Sequence, residues 1–239
     1  MSTEIAVVAF GGIPREVLAE GRARIAAASQ SANALVEALK VKLSATGSGV
    51  LAQVNAEVDG RRVRVQEAAQ DFTEAVDRIG EQLRRRIAAV TGTWKPRPWP
   101  RPVQPGDTAP RDGARLITRV KSPSLVWCSP DAAIRTLDAM DYDIHLFTDP
   151  ATETDAVVYR TGPTGYRLAR TVAAAPPRRS TAPLTLSPVG ARHLTDEQAV
   201  NRIEDAQLPF LFYADPATGR GRVLYRRFEG HLGLIAGRP

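Results

Sequence analysis

The sequence predicts an α+β protein: an N-terminal β-α-β-β-β-α two-layer domain, a proline-rich linker, and two tandem small α/β repeat modules that pair as a pseudo-dimer. Three observations predict this architecture. Apolar patterns change between period two and period 3.6 in residues 1–93, six prolines lie between Pro96 and Pro110, and one phrase recurs at an offset of 66 residues. The predicted segments are residues 1–93, a linker 94–115, a first copy 116–169, a linker 170–182 and a second copy 183–239.

Length and composition limit the class of protein. A chain of 239 residues with 43% hydrophobic content suits two or three compact globular units. The apolar stretch "IAVVAFGGI" is shorter than the roughly 18 residues that a membrane span needs, and "MSTE" lacks the basic start of a signal peptide. The single cysteine, Cys128, has no partner for a disulfide and is expected to be a packed apolar residue. We therefore expect a cytoplasmic protein.

The N-terminal domain begins with a short strand, "IAVVAF", and a helix that starts near Pro14 and runs to about Gln30. "ALVEALKVKL" ends in strand-like alternation, and a further alternating run covers Val50–Val58. Asp59-Gly60 then predicts a hairpin turn into "RRVRVQ". One face of this sheet is apolar and the other is basic.

A second helix is predicted after Asp71, its expected N-cap. An apolar stripe at three- and four-residue spacing runs from Phe72 to Val90 and can cover the apolar sheet face. Arg78 and Arg84–Arg86 lie off that stripe or at its edges. They form either a cation cluster for a ligand or a solvated helix face with internal ion pairs to Glu74, Asp77 and Glu81.

The net charge of +6 is concentrated in one segment. Residues 1–93 carry 12 basic and 11 acidic side chains, residues 94–121 carry 7 and 2, and residues 122–239 carry 13 and 13. The prolines predict a semi-rigid strut of roughly 60 Å over residues 94–113. Its arginines and its tryptophans, Trp94 and Trp99, are suited to a polyanion with exposed bases. The alternative is a solvated spacer.

The repeat pairs "FTDPATETDAVVYRT" (147–161) with "YADPATGRGRVLYRR" (213–227). A module of about 55 residues buries too little apolar surface to be comfortably stable alone. Its strands are apolar on both faces, so one face can pack on its own helix while the other meets a second sheet. The alternative is two separate modules that do not pack against each other and have ordinary exposed hydrophobic residues. The expected module–module interface consists of Ile144, Leu146, Val157, Tyr159, Phe210, Phe212, Val223 and Tyr225.

These stretches resemble the long form of the bacterial ribosome hibernation promoting factors. The resemblance lies in "GGIPREVLAEGRARI", in "DFTEAVDRIGEQLRRRI" and, more strongly, in both copies of the repeat, which are similar to that family's small C-terminal domain. It implies that the N-terminal domain lodges in the decoding channel of the small ribosomal subunit and contacts ribosomal RNA. The RNA-binding candidates are Arg15, Arg22, Lys40, Lys42, Arg62, Arg64, Arg78, Arg84, Arg85, Arg86, Lys95, Arg97, Trp99 and Arg101.

The chain departs from the ordinary long form, which has one C-terminal module, and in this it resembles the dormancy-associated ribosome factors of actinobacteria. In the ordinary long form, modules from two chains pair and so join two ribosomes. Here the partner is already present, so the expectation is a monomer that keeps ribosomes single. Two smaller departures are a nearly charge-balanced N-terminal domain and Arg167, which stands where the second copy has Gly233.

No reaction can be argued from the sequence. The three histidines, His145, His193 and His231, have neither metal-ligand spacing nor a nucleophile motif, and we expect no catalytic residue, metal, cofactor, small-molecule substrate or membrane partner. Two function classes remain open: a ribosome-binding hibernation factor, and a nucleic-acid-binding or sigma-factor-modulating transcription regulator. A hydrolase is a distant third.

Overall fold

The computed structural model describes residues 4–30, 34–46, 49–97, 116–162, 165–177, 179–227 and 230–238. These residues form four helices and three four-stranded sheets, which confirms the expected α+β class. The chain divides into two compact units. The N-terminal unit comprises Met1–Lys95 with Asp138–Tyr142, and the C-terminal unit comprises Pro96–Leu137 with Asp143–Pro239.

The N-terminal unit has the element order that the sequence predicts. Its elements are β1 (Glu4–Phe10), α1 (Arg15–Gln30), β2 (Val36–Thr46), β3 (Gly49–Val58), β4 (Arg61–Ala69) and α2 (Phe72–Thr91). The strands lie in the order β1-β2-β3-β4, with β1 parallel to β2 and the other neighbours antiparallel. Asp59 and Gly60 both have positive φ, as the tight turn between β3 and β4 requires.

Helices α1 and α2 cover one face of this sheet. Alternate residues of β2, β3 and β4 point into a core with Ile25 of α1 and with the stripe of α2 that includes Ile79 and Leu83. Asp71 caps α2 by accepting a hydrogen bond from the Glu74 amide at 2.9 Å. Such a cap stabilises a helix by about 1 kcal/mol. The opposite face carries the polar residues of β2, β3 and β4, including Lys40, Asn55 and Arg64.

The C-terminal unit contains both copies of the repeat, except for Asp138–Tyr142 of the first copy. The first copy supplies β5 (Ile117–Lys121), α3 (Pro130–Ala139), β6 (Ile144–Asp149), β7 (Thr154–Thr161) and β8 (Gly165–Arg170), and the second supplies β9 (Leu184–Leu186), α4 (Asp196–Asp205), β10 (Phe210–Ala214), β11 (Gly221–Arg226) and β12 (Leu232–Ala236). Thr195 begins α4 with a capping box to Gln198.

The two copies exchange their first strands. One sheet has the order β10-β11-β12-β5, so the first copy's β5 lies parallel to β12 of the second copy. The other sheet has the order β6-β7-β8-β9, so β9 lies parallel to β8 of the first copy. The sequence predicted each copy as a module with its own strands. The structure differs because each sheet takes its edge strand from the other copy.

Each module sheet has two buried faces. In the second copy, Ala199 and Ile203 of α4 pack with Tyr213, Leu224 and Leu232 on one face. In the first copy, the equivalent helix residues Ala133 and Leu137 are fully buried, as is the neighbouring Ile134. The other faces share a core across the two copies, centred on Leu146, Val157 and Val223.

Most of the predicted linker falls outside the described residues, because residues 98–115 are not among them. Its first part is held by contacts within each unit. Trp94 donates from Nε1 to Oδ2 of Asp138 at 3.3 Å in the N-terminal unit. In the C-terminal unit the Arg97 amide donates to the Tyr166 hydroxyl at 3.3 Å, and the Arg97 carbonyl accepts from Arg160.

Candidate nucleic-acid and module interfaces

The uncovered face of the N-terminal sheet carries a row of polar side chains across three strands. Register places Lys40 of β2 opposite Asn55 of β3, and Asn55 opposite Arg64 of β4. Neighbouring strands are about 4.8 Å apart, so the backbones of Lys40 and Arg64 lie about 10 Å apart, with the amide side chain of Asn55 between them. Lys42 and Arg62 belong to the adjoining rows of the same face.

The cations of this sheet face are accessible to different degrees. Lys40 and Arg62 are exposed, whereas Lys42 and Arg64 are partly buried. The Lys42 Nζ lies 4.8 Å from the centroid of the Phe10 ring. Arg64 donates to the Gln66 side chain, and its guanidinium lies 5.5 Å from the Tyr142 ring centroid. Lys40 and Arg62 are therefore the most open contacts for an anionic ligand.

The arginines of α2 lie on the helix layer, on the other side of the unit. Arg78 pairs with Glu74 at 2.5 Å and Arg85 pairs with Glu81, each one helical turn away. Exposed pairs of this kind contribute only about 0.3–0.5 kcal/mol, so a phosphate can replace the carboxylate. Asp77, the third acid of the predicted alternative, pairs with Arg24 of α1. Arg84 is exposed and has no ion pair with any residue that the structure describes.

Arg86 is placed differently from its neighbours. Its residue is 9% exposed, and its guanidinium bonds to Asp141 Oδ1 at 2.9 Å and to the Asp138 carbonyl oxygen within the same unit. It follows Leu83 by three residues, a spacing that turns it toward the buried stripe. Arg86 is thus the predicted RNA contact that the structure leaves least open to a ligand.

The remaining predicted RNA contacts are dispersed. Arg15 and Arg22 are exposed on α1, and Lys95 is exposed after α2. Arg97 is partly buried, with its backbone held as described above. Trp99 and Arg101 lie outside the described residues. The sequence analysis grouped these cations as one set. In the structure, the described cations of the N-terminal unit lie partly on the sheet face and partly on the helix layer.

The interface between the two copies contains most of the residues that the sequence assigned to it. Leu146, Val157 and Val223 form its buried centre, and Ile144, Tyr159 and Phe212 pack against them. The rings of Tyr159 and Phe210 meet edge to face at 5.4 Å between centroids. Sequence reasoning missed Leu125, Ala169 and Ile235, which pack on the same core.

Tyr225, the eighth predicted interface residue, packs elsewhere. Its ring lies against Gly233, where an added Cβ would be 2.4 Å from Cζ, and Lys121 Nζ stands 5.5 Å from the ring centroid. The first copy has Arg167 at the position of Gly233, paired across the sheet with Tyr159. Because Arg167 has a Cβ, the equivalent ring cannot lie flat there, and Tyr159 reaches Phe210 instead.

A polar contact that the sequence did not indicate also joins the copies. The carboxylate of Asp155 accepts from the Gly221 amide at 2.8 Å and from Arg220 Nε at 2.7 Å. Asp155 is 4% exposed. Its charge is therefore buried between the copies, where Arg220 and Gly221 of the second copy and, at 3.4 Å, the Thr148 hydroxyl of the first copy donate to it.

The repeated aspartate of each "DPAT" turn is paired with an arginine from a different strand in each copy. Asp149 is paired with Arg170 of β8 at 2.7 Å, and both side chains are almost fully buried. Asp215 is paired with Arg222 of β11 at 3.0 Å. In the first copy the residue opposite Arg170 is Ala156, and in the second copy the residue opposite Arg222 is Ala236. Between the two copies, the arginine and the alanine have exchanged positions across the two neighbouring strands, and the ion pair between the aspartate and the arginine is preserved.

Titratable groups in the C-terminal unit are perturbed by packing. Burial lowers the pKa of His145, which stacks on Phe147, to about 4. Burial also raises the pKa of the Cys128 thiol, and a hydrogen bond from the Thr218 hydroxyl lowers the pKa of Asp215.

Among the described residues, no cluster of three or more His, Cys, Asp or Glu is arranged to hold a metal ion. No helix in the described part of the chain is long and apolar enough to cross a membrane.

Comparison with known proteins finds similarity in both regions of the chain. A family model described as "Sigma 54 modulation/S30EA ribosomal protein C terminus" matches residues 112–168. Among solved structures, the N-terminal domain of Protein Y from Thermus thermophilus is 23% identical, with a TM-score of 0.28 over 34% of this chain and 97% of that chain. A ribosomal subunit interface protein from Coxiella burnetii is 14% identical, with a TM-score of 0.29 over 37% of this chain and 97% of that chain. TM-scores this low do not assign the fold.

The comparison with curated proteins is much stronger. Proteins from two strains of Mycobacterium tuberculosis, each called "Dormancy associated translation inhibitor", are 42% identical to this chain over 196 residues, which cover 77% of this chain and 70% of the relative. The chain therefore belongs to the family of dormancy associated translation inhibitors, within the long-form ribosome hibernation promoting factors.

Proposed function

We propose that this chain is a ribosome hibernation factor that inhibits translation in the cytoplasm by occupying the decoding channel of the small ribosomal subunit. Messenger and transfer RNA could then not bind there. The observation that carries the proposal is the 42% identity to the mycobacterial dormancy associated translation inhibitors over 70% of their length. The family model that matches residues 112–168 supports the same assignment.

The uncovered sheet face of the N-terminal unit supplies the electrostatic contact in this proposal. Lys40 and Arg62 are exposed on a sheet face that also carries Lys42 and Arg64. Each phosphate that such a cation neutralises steepens the dependence of log affinity on log salt by somewhat under one unit. Binding should therefore weaken measurably as salt rises.

The linker and the paired copies have separate roles in the proposal. The linker and the adjoining strand β5, which together have an excess of five positive charges over residues 94–121, follow the path by which messenger RNA leaves the channel. The two copies pair within one chain, so the apolar faces that would recruit a second chain are occupied. A tether of 13 residues gives an effective concentration on the order of millimolar, which favours the internal pair. Hibernating ribosomes would thus remain single particles.

The transcription-regulator alternative is retained because the description of the matching family model includes sigma 54 modulation. Sedimentation of a cell lysate through a sucrose gradient separates the two functions. We expect the protein to comigrate with ribosomal particles at low salt, and the Lys40→Glu/Arg62→Glu variant to move to the top of the gradient. Cosedimentation with RNA polymerase, unaffected by ribosome removal, would favour the alternative.

A further inference from the structure

The two copies meet at positions that are equivalent in the repeat. Asp155 and Gly221 are related by the offset of 66, and a Cβ added to Gly221 would lie 2.8 Å from the Cβ of Asp155. Each residue thus touches its own counterpart, as residues do beside a two-fold axis. In any pair of identical copies, the residue at this position would therefore face a second copy of itself.

The contact works only because the two residues differ. Asp155 fills the space that the missing side chain of Gly221 leaves, and it accepts from the Gly221 amide. Arg220, which supplies the cation, stands where the first copy has Thr154. A buried carboxylate needs such donors, because an uncompensated buried charge is strongly destabilising.

A pair of two first copies and a pair of two second copies both lack this complementary contact. Two first copies would bring two buried Asp155 carboxylates together, with Cβ atoms closer than packing allows and with threonine in place of arginine. Two second copies would face Gly221 with Gly221, which leaves two Arg220 side chains without a carboxylate.

The aromatic contact carries the same distinction independently. Tyr159 meets Phe210, and the first-copy counterpart of Phe210 is Ile144. A pair of first copies would lose this ring contact. A pair of second copies would offer Tyr225, whose ring is folded onto Gly233.

We infer that the interface is specific for unlike copies, so that Asp155, Arg220 and Gly221 make each chain pair with its own second module and reject the like module of another chain. This inference deepens the proposed function, since it rests on the internal pairing proposed there. It concerns the protein alone, so it can be tested without ribosomes. Failure of ribosome binding would leave its outcome unaffected.

The test uses full-length chains in which both copies are made alike at these positions. An acid–acid variant carries Arg220→Thr/Gly221→Asp, and a glycine–glycine variant carries Thr154→Arg/Asp155→Gly. We expect each variant alone to unfold about 5 °C or more below the parent chain. The control is Val189→Asp, which adds a carboxylate at a residue that is 67% exposed and should leave the midpoint unchanged.

Mixing gives the decisive result. An equimolar mixture of the two variants offers unlike pairing only between chains, so light scattering should show a two-chain species that neither variant forms alone. The parent chain should form no such species with either variant. A mixture that keeps the mass of one chain would overturn the inference, as would a two-chain species formed by either variant alone.

A chain in which residues 154 and 155 are exchanged with residues 220 and 221 tests whether the variants lose stability only because they misfold. The chain with Thr154→Arg, Asp155→Gly, Arg220→Thr and Gly221→Asp has the composition of the parent and restores an aspartate opposite a glycine with the roles reversed. Its unfolding midpoint should recover at least half of the decrease measured for the acid–acid variant. Recovery of less than half would show that the contact is not specified by these residues, and the inference would fail.

Discussion

The N-terminal sheet and the two module sheets are all four-stranded, but they use their second face in opposite ways. Each has one face covered by helices. The N-terminal sheet keeps its other face polar, with Lys40, Asn55 and Arg64 in one row, whereas the module sheets bury Leu146, Val157 and Val223 against each other. The side-chain alternation of each strand therefore decides whether a sheet remains available to a ligand or requires a protein partner.

The largest effect should come from placing a charge on the buried face of a module sheet. Val157 and Val223 are fully buried, so Val157→Asp or Val223→Asp puts an unpaired carboxylate into the shared core and should cost about 4 kcal/mol or more of unfolding free energy. Chemical denaturation followed by circular dichroism measures this loss. The matched change on the N-terminal sheet, Gln53→Asp, should cost under about 1 kcal/mol. Equal losses at both sites would remove the distinction between the sheets.

The arginine that pairs with the "DPAT" aspartate should be movable between strands. Arg170→Ala leaves the buried Asp149 carboxylate without its cation and should cost about 3 kcal/mol. Adding Ala156→Arg gives the first copy the arrangement of the second and should return part of that loss. If Ala156→Arg lowers the stability of the Arg170→Ala chain further in a denaturant titration, the two copies do not solve this pairing in equivalent ways.

Charge reversal on the sheet face should change binding but not folding. Replacing Lys40, Lys42 and Arg62 with glutamate should weaken ribosome binding by about 100-fold at moderate salt and lower the salt dependence of log affinity by two to three units. The free energy of unfolding should change by about 1 kcal/mol or less. Filter binding at several salt concentrations supplies the affinities.

The helix layer provides the comparison for that experiment. Arg84→Glu/Arg85→Glu reverses two exposed charges on the opposite side of the same unit. If the sheet face is the contact, this variant should bind at least ten times better than the sheet-face variant. The reverse order would assign RNA contact to the helix layer, and equal losses would indicate that both sides touch the ribosome.

Acidification should destabilise the C-terminal unit through His145. Its pKa of about 4 in the folded chain lies below the ordinary 6.5, so the unfolded chain binds more protons between these values and stability falls as pH decreases through that window. Between pH 7 and pH 5 the loss should reach about 2 kcal/mol. His145→Leu, which introduces the residue that the second copy has at Leu211, should flatten this part of the stability profile. An unchanged profile would assign the acid sensitivity to other groups.

Sequence periodicity and repetition predicted much of this structure because they report local burial. The stripe of α2, the Asp71 cap and the Asp59-Gly60 turn are local features, and the alternation of β6 and β10 indicated two buried faces. The exchange of β5 and β9 was not predicted, since strands of five and three residues carry no local signal for which sheet they join. The Asp155–Gly221 contact was also not predicted. In the sequence, a glycine that leaves room for the side chain of a distant residue looks the same as a glycine in a turn.

Arg86 shows a different limit of sequence reasoning. Composition groups it with Arg84 and Arg85, but helical geometry separates them by about 100° per residue and turns Arg86 toward the buried side. Its spacing of three from Leu83 and four from Val90 was a usable signal. Its partners Asp138 and Asp141 lie more than 50 residues away in the sequence, so the pairing itself could not be read from the sequence.

The most direct test of the central claim adds purified protein to purified single ribosomes and resolves the mixture on a sucrose gradient. Internal pairing of the two copies predicts that the single-ribosome peak stays in place, that the protein comigrates with it, and that translation in the same sample is inhibited. A heavier ribosome-dimer peak that disappears when residues 183–239 are deleted would contradict the account, because it would show that the second copy bridges ribosomes.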